Sequence, residues 1–509
     1  MSRLSSFLTC SRGATPAPAS AKAAARLAEA PSARRRRPPC GARRPALLGR
    51  TVFLIVALVG LAPVAAEQQP AAAQTAGRIS VPYTMFTLEN GLTVILHEDH
   101  SVPIVSVNVW YHVGSANEKP GRTGFAHLFE HLMFEGSGHV KEGDFDNFLE
   151  AAGGNNNAST AEDRTNYYID APSNALDLAL FLESDRMGYL LDIVSEKLVD
   201  GQRDVVKNER RQSYENAPYG MTEVRIPELL YPKNHPYHWP VIGYMDDLTA
   251  ASAEDVREFF RRYYAPQNAS LVIAGDINIA DARKKVEHWF SDIKPGKPAD
   301  PIEVPPVSLG GVIKDKLTDR VQLPRLYLCW LTPPLYTPGD AELDVVASVL
   351  TGGKNSRLYK RLVYDLQIAQ DVTAFQASKM LGSIFQIIVT ARPSSNPPEQ
   401  TLDKLKAVID EELQRLRDAP PDDREVQRVI NQTEASFYGR MENVGGFGGK
   451  ADQLNGYFMY TGNPDYFNED LARYRAVQAN DVQAAARRWL PADRRLELSV
   501  VPDGKGGGK

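Results

Sequence analysis

The stretch Gly124-Phe-Ala-His127-Leu-Phe-Glu130-His131-Leu-Met-Phe134 carries two histidines and a carboxylate at helical spacing. Residues three and four apart share a helix face, so His127, Glu130 and His131 are expected to project together. Two imidazoles one turn apart can bind one divalent metal ion, and a carboxylate beside them can take a proton from a water held there. The plainer reading is a core helix, because Phe125, Leu128, Phe129, Leu132 and Met133 form a broad apolar stripe. A third ligand separates the two readings. From spacing alone Glu196, Glu209 and Glu215 fit that role equally.

Working outward, Phe86 to His97 reads as two alternating runs joined by Asn90-Gly91, a strong hairpin signal. Pro103 to Trp110 is a further predicted strand. The Gly/Asn stretch 153–157 leads into predicted strands at Ala158–Thr160 and Thr165–Ile169. Helical periodicity covers Ser173–Leu191 and Glu196–Tyr214. Ser252-Ala-Glu-Asp255 has the form of a capping box opening a helix to Tyr264, followed by a strand at Ser270–Ala274.

The first 66 residues have a different character. They hold 11 Lys/Arg against the single acid Glu29, then an apolar run from Thr51 to Ala66. That is the layout of a secretory signal, with cleavage expected after Ala66. The rival readings are an organellar transit peptide and an uncleaved membrane anchor, for which a run of 16 residues containing Pro63 is short. Taking the leader's 11 bases and one acid from totals of 58 and 63 leaves 47 basic and 62 acidic residues, a formal charge of −15. An acidic exported chain is a poor candidate for binding nucleic acid. Cys10 and Cys40 leave with the leader, so Cys329 alone remains, and neither an internal disulfide nor a cysteine metal cluster is expected.

Residues 67–78 read as a Gln/Ala/Pro-rich linker, 79–294 as the domain holding the histidine motif, 295–306 as a Pro-rich boundary, 307–502 as a second domain and 503–509 as a tail. The second half repeats the first. Asp255-Val-Arg-Glu-Phe-Phe-Arg-Arg-Tyr263 corresponds to Asp481-Val-Gln-Ala-Ala-Ala-Arg-Arg-Trp489, each followed by a Pro and a β-rich run. The place of the histidine helix in the second copy is assigned to Thr351–Arg361, which has no histidine. Gly352-Gly-Lys354 and Gly445–Lys450 lack phosphate-loop spacing and read as turns or helix starts. His235 and His238, flanking Pro236-Tyr237, read as a surface loop, and His97, His100 and His112 have no partner at ligand spacing.

Four features together resemble the pitrilysin/insulinase family of inverzincin zinc peptidases, and within it the bacterial relatives of the mitochondrial processing peptidase. They are His127-Leu-Phe-Glu-His131; Asn157-Ala-Ser-Thr-Ala-Glu-Asp-Arg-Thr-Asn-Tyr-Tyr168; Asp204-Val-Val-Lys-Asn-Glu-Arg-Arg211; and the duplicated layout. The resemblance implies an α+β fold of two homologous domains, each an antiparallel-rich sheet with helices packed on it, facing each other across a peptide-binding cleft. It implies one Zn2+ per chain held by His127, His131 and Glu209, and Glu130 as the general base that activates a zinc-held water. It places Asn157-Ala158 at the start of an edge strand that pairs with the substrate backbone.

Two departures bear on function. The position seven before the ligand glutamate, a second glutamate in many members, is Gln202. An Arg and a Tyr of the second half that hold substrate in self-sufficient members are replaced at the matching positions by Val363 and Gln370. The resemblance then implies a homo- or heterodimer in which a related subunit supplies the clamp. A zinc endopeptidase acting on extended peptides or unfolded segments, exported to the periplasm or secreted, is the expected function. A non-catalytic scaffold or assembly subunit is the alternative.

Overall fold

Thr84–Thr87 (β1) and Thr93–Glu98 (β2) pair antiparallel around the Asn90-Gly91 turn, in a computed structural model that describes residues 78–504. The expected leader, most of the linker and the end of the tail lie outside the described residues. The turn is longer than the two residues an Asn-Gly pair suggests, since pairing closes at Thr87 and Thr93. Asn90 serves another purpose: its side-chain amide donates to the carbonyls of Phe290 (2.8 Å) and Ile293 (3.0 Å), tying the turn to the end of the helix Ile279–Phe290.

The remaining strands of the first half are Ile104–Tyr111 (β3), Asn155–Thr160 (β4), Thr165–Pro172 (β5) and Ala269–Gly275 (β6). They form a sheet in the order β1-β2-β6-β3-β5-β4, with β2 and β6 parallel and the other neighbours antiparallel. β4 begins earlier than Ala158, because Asn155 and Asn156 already pair with Asp170 and Ile169 across the ladder. The helix predicted over 196–214 stops at Arg210, after which Arg211–Glu215 is a single π-turn. The capping box at Ser252 forms as predicted: Ser252 Oγ accepts from Asp255 N at 3.2 Å and Asp255 Oδ2 accepts from Ser252 N at 3.0 Å.

The second half contains Ile313–Asp319 (β7), Arg325–Thr332 (β8), Ala369–Ala377 (β9), Ser383–Ala391 (β10) and Leu496–Pro502 (β11). Their order, β7-β11-β8-β10-β9 with β7 and β11 parallel, reproduces β2-β6-β3-β5-β4 strand for strand. The duplication glimpsed at Asp255 and Asp481 therefore extends through the whole topology. One assignment changes: the element that follows β8, as the histidine helix follows β3, is the helix Asp340–Thr351. Thr351–Arg361 falls on the turn after it and the start of the π-helix Tyr359–Asp365. The sequence pointed to the wrong segment because the Gly-rich turn is more conspicuous than the apolar helix before it, which also lacks histidine.

Each half covers the other's sheet. The helix Lys450–Thr461 packs on β3 and β6, bringing Ala451, Leu454 and Tyr457 against Ile95, Val272 and Ala274. In return Thr222–Leu230 packs on β11, setting Ile226 and Leu230 among Tyr327, Leu496, Leu498 and Val500. Burying each large apolar side chain contributes roughly 1.5–3 kcal/mol, so the exchange holds the halves firmly together. Residues 295–306 contain no helix or strand. Among the described residues no helix is long and apolar enough to cross a membrane.

Candidate metal centre

The histidine helix, Phe125–Leu132, starts at Gly124, whose φ of 87° is left-handed and whose lack of a side chain leaves the first turn uncapped. Glu118 takes over the capping: its carboxylate accepts from Gly124 N at 2.9 Å and Ala126 N at 2.8 Å. Gly124 also meets Gly243 so closely that a Cβ on either residue would lie within 3.0 Å of the other's backbone. Arg210, the last residue of the helix Glu196–Arg210, donates from Nη1 to Gly243 O. The helix bearing Glu209 and the helix bearing the histidines are thus braced through one glycine contact.

That bracing brings three donors together. Ligand atoms of His127, His131 and Glu209 all lie within 4.8 Å of one another. Oε2 of Glu209 is 3.2 Å from Nε2 of His131 and 3.6 Å from Nε2 of His127. His127 is fully buried, and burial first, then His131, push its pKa down to about 3 against a smaller opposing pull from Glu209. It is therefore a neutral imidazole at pH 7, the form that ligates a metal. Burial raises the Glu209 carboxyl, but its contacts with His131 and His127 outweigh that and hold it below its ordinary range.

Among the described residues, neither ring nitrogen of His127 has a hydrogen-bond partner. Leaving a buried imidazole without a hydrogen bond costs about 1–3 kcal/mol. A divalent cation among the three donors removes that cost, and two imidazoles with one carboxylate are a donor set suited to zinc with a fourth position open. The residues present fit the metal that the sequence motif implies.

Glu130 stands beside this cluster and outside its ligand set. It is fully buried, and Thr160 Oγ1 donates to its Oε2 at 2.6 Å while Oε1 has no partner among the described residues. Burial pushes its pKa up to about 7, with Thr160, His131 and Arg164 pulling the other way.

Residues 93–232 match the family described as insulinase, peptidase family M16, and residues 250–433 match the peptidase M16 inactive domain. The zinc protease PqqE of Helicobacter pylori is 30% identical over 361 residues, covering 70% of this chain and 80% of that protein. The chain belongs to peptidase family M16, the insulinase family. A probable mitochondrial-processing peptidase subunit beta of Arabidopsis thaliana is 24% identical over 438 residues, covering 83% of this chain and 79% of that one. The crystal structure of a protease from Helicobacter pylori superposes with a TM-score of 0.76 at 26% identity, covering 83% of this chain and all of that chain.

Within this M16 fold, the rival third ligands are occupied elsewhere. Glu196 accepts from Ala253 N at the start of the next helix, and Glu215 pairs with Arg210 at 3.3 Å. Gln202, seven residues before Glu209, is buried with its Oε1 unpartnered among the described residues. β4 is an edge strand whose exposure falls along its length: Asn155 is exposed, Asn157 half-buried, and Ala158 only 1% exposed. Asn157 Oδ1 accepts from Ala158 N at 2.8 Å. Val363 lies on the π-helix Tyr359–Asp365 and Gln370 on β9, the matching edge of the second sheet.

The other histidines have structural partners. His235 is buried, stacked on Tyr231 at 4.5 Å, which corrects the expectation of a surface loop. His238 Nδ1 lies 2.8 Å from Tyr231 O, and His97 Nδ1 lies 2.7 Å from Pro82 O. His100 bridges Glu98 and Asp276. Of the residues that shape the site, Glu118 gave no signal in the sequence, and Thr160 and Arg210 stood inside the quoted motifs without a role of their own. A capping acid six residues before Gly124 stands outside every short motif, and nothing in Asn157–Tyr168 singles out Thr160.

Proposed function

We propose that the chain is a zinc metalloendopeptidase that hydrolyses extended peptides or unfolded segments. The observation that carries this reading is the convergence of His127, His131 and Glu209, with both ring nitrogens of His127 left unpaired among the described residues, next to a buried Glu130 that is not part of the ligand set. When bound, zinc would make a water more acidic and polarise the scissile carbonyl. Glu130 takes the water's proton on Oε1, the oxygen not already holding Thr160, and returns it to the leaving amine. Peptide docks by β-augmentation at the open end of β4, Asn155–Asn157, and runs toward Ala158.

With Val363 and Gln370 at the clamp positions, a related subunit supplies the Arg and Tyr, so the working form is a dimer. The basic, apolar leader supports export to the periplasm or beyond. The test is cleavage of a mixed fluorogenic peptide pool by the full chain, before and after chelation and zinc restoration. Chelator-sensitive cleavage supports the peptidase. A zinc-loaded, folded chain that cuts nothing, alone or with any related subunit, points to the scaffold reading.

A further inference from the structure

Thr160 joins two parts of the site that the chain otherwise keeps separate. It is the last residue of β4, two positions beyond Ala158 and on the same face, and it is 3% exposed. Its hydroxyl donates to Glu130 at 2.6 Å, from strand to helix across 30 residues of sequence. A glutamate has three rotatable side-chain bonds, and nothing in the helix itself fixes its carboxylate plane. A donor aimed at Oε2 fixes that plane and leaves Oε1 as the remaining acceptor.

The strand end that presents Thr160 is itself pinned. Thr160 pairs with Thr165 across the β4–β5 ladder, and Ala161 N donates to Arg164 O at 2.9 Å. Arg164, buried, reaches back from Nη1 to Ser159 O at 2.9 Å and to Ser159 Oγ and Asn166 Oδ1 at 2.7 Å. Beyond the turn, Ser115 N and Ala116 N donate to the carbonyls of Ala161 and Glu162 at 3.2 and 2.8 Å. From the second half, Lys379 pairs with Glu162, and Met380 N donates to Asp163 Oδ2 at 3.0 Å. This many bonds on one tight turn hold a single hydroxyl in register.

We propose that Thr160 is a positioning residue for the general base: its hydroxyl orients the Glu130 carboxylate, and, because it sits on the strand that would pair with substrate, it ties peptide docking to the alignment of the base. The proposal rests on the peptidase reading of the same site.

The test compares Thr160→Val, which keeps the shape and removes the donor, with Thr160→Ser, which keeps the donor and removes the methyl. On the peptide cut fastest from the pool, the valine variant is expected to retain zinc and KM within about threefold while kcat falls about 10- to 100-fold; the serine variant keeps kcat within about threefold. A second readout needs no turnover. Calorimetric binding of a peptide hydroxamate to the zinc-loaded chain uses Glu130 as acceptor of the hydroxamate proton, so the valine variant binds about tenfold more weakly and the serine variant as the unaltered chain does.

A valine variant that is unchanged in both readouts overturns the proposal, as does a serine variant no better than valine. If the unaltered chain cuts no peptide, alone or with any related subunit, the peptidase reading falls, and the hydroxamate series alone still rules for or against the orientation of Glu130 by Thr160. Thermal melts of all three forms identify any loss that is merely unfolding.

Discussion

Nε2 of His131 lies 3.2 Å from Oε2 of Glu209, although the two residues sit on different helices and 78 positions apart. Next to Glu209, Arg210 donates to Gly243 O, and Gly243 lies against Gly124 at the start of the histidine helix. Glu209→Gln, which keeps size and removes charge, should lose zinc on dialysis against a weak chelator, whereas Glu196→Gln and Glu215→Gln should retain it. Metal content after dialysis is the measurement, and equal retention by all three variants would remove Glu209 from the ligand set. Because metal binds the folded chain alone, the same series has a stability readout. At a thousandfold excess over its dissociation constant, zinc should add about 4 kcal/mol to unfolding free energy, read as a rise in melting temperature that Glu209→Gln abolishes.

The glycine contact is testable through stability. Gly124→Ala combines a left-handed φ of 87° with a Cβ 2.8 Å from Ile242 O, so it should cost more than the roughly 1 kcal/mol of backbone strain alone. Gly143, at φ 81° with nothing within 4 Å of an added methyl group, isolates the strain. Denaturant unfolding of both alanine variants should show Gly124→Ala the more destabilised, and equal losses would deny the contact any role.

Much of this architecture was legible in the sequence, and the limits have physical causes. The His127/Glu130/His131 face could be read because helical spacing is local, and the capping box at Ser252 for the same reason. The third donor could not be taken from spacing, since Glu196 and Glu209 open and close one helix, Glu215 ends the π-turn after it, and sequence does not say which part of that segment faces Phe125–Leu132. In the fold it is Glu209 that lies beside His127 and His131. The repeat was visible at Asp255 and Asp481, where capping acids and basic last turns coincide, and invisible at Asp340–Thr351, whose apolar residues answer only to core packing. Thr160 is one more polar residue in Asn155–Thr160 until the fold sets it against Glu130.

The pH dependence of stability has an identifiable contributor in His112. It packs against Phe458 of the second half, its Nε2 lies 3.3 Å from Ser270 Oγ, and burial pushes its pKa down to about 4. The unfolded chain, with an ordinary value near 6.5, binds a proton in this window that the folded chain does not. Stability from this group is therefore present above pH ~6.5 and lost as pH falls toward ~4. His112→Gln should flatten the decline between unfolding curves taken at about pH 7 and about pH 4.5, and an unchanged slope would exclude it.

Lys379 and Glu162 form an ion pair between the halves, mostly buried at 17% and 23% side-chain exposure. Removing one partner leaves the other desolvated and unpaired, so Lys379→Met should destabilise by roughly 3 kcal/mol, and adding Glu162→Gln should recover part of it. A double-mutant cycle measures the coupling, and strictly additive losses would show that none exists.

In the proposed mechanism Glu130 performs proton transfer beside a metal it does not bind. Glu130→Gln in the full chain separates the two properties, with zinc content and peptide cleavage measured on the same preparation. The expected result is one zinc per chain in both forms and no chelator-sensitive cleavage by the variant. Loss of zinc from the variant, or turnover that survives the substitution, would remove Glu130 from that role.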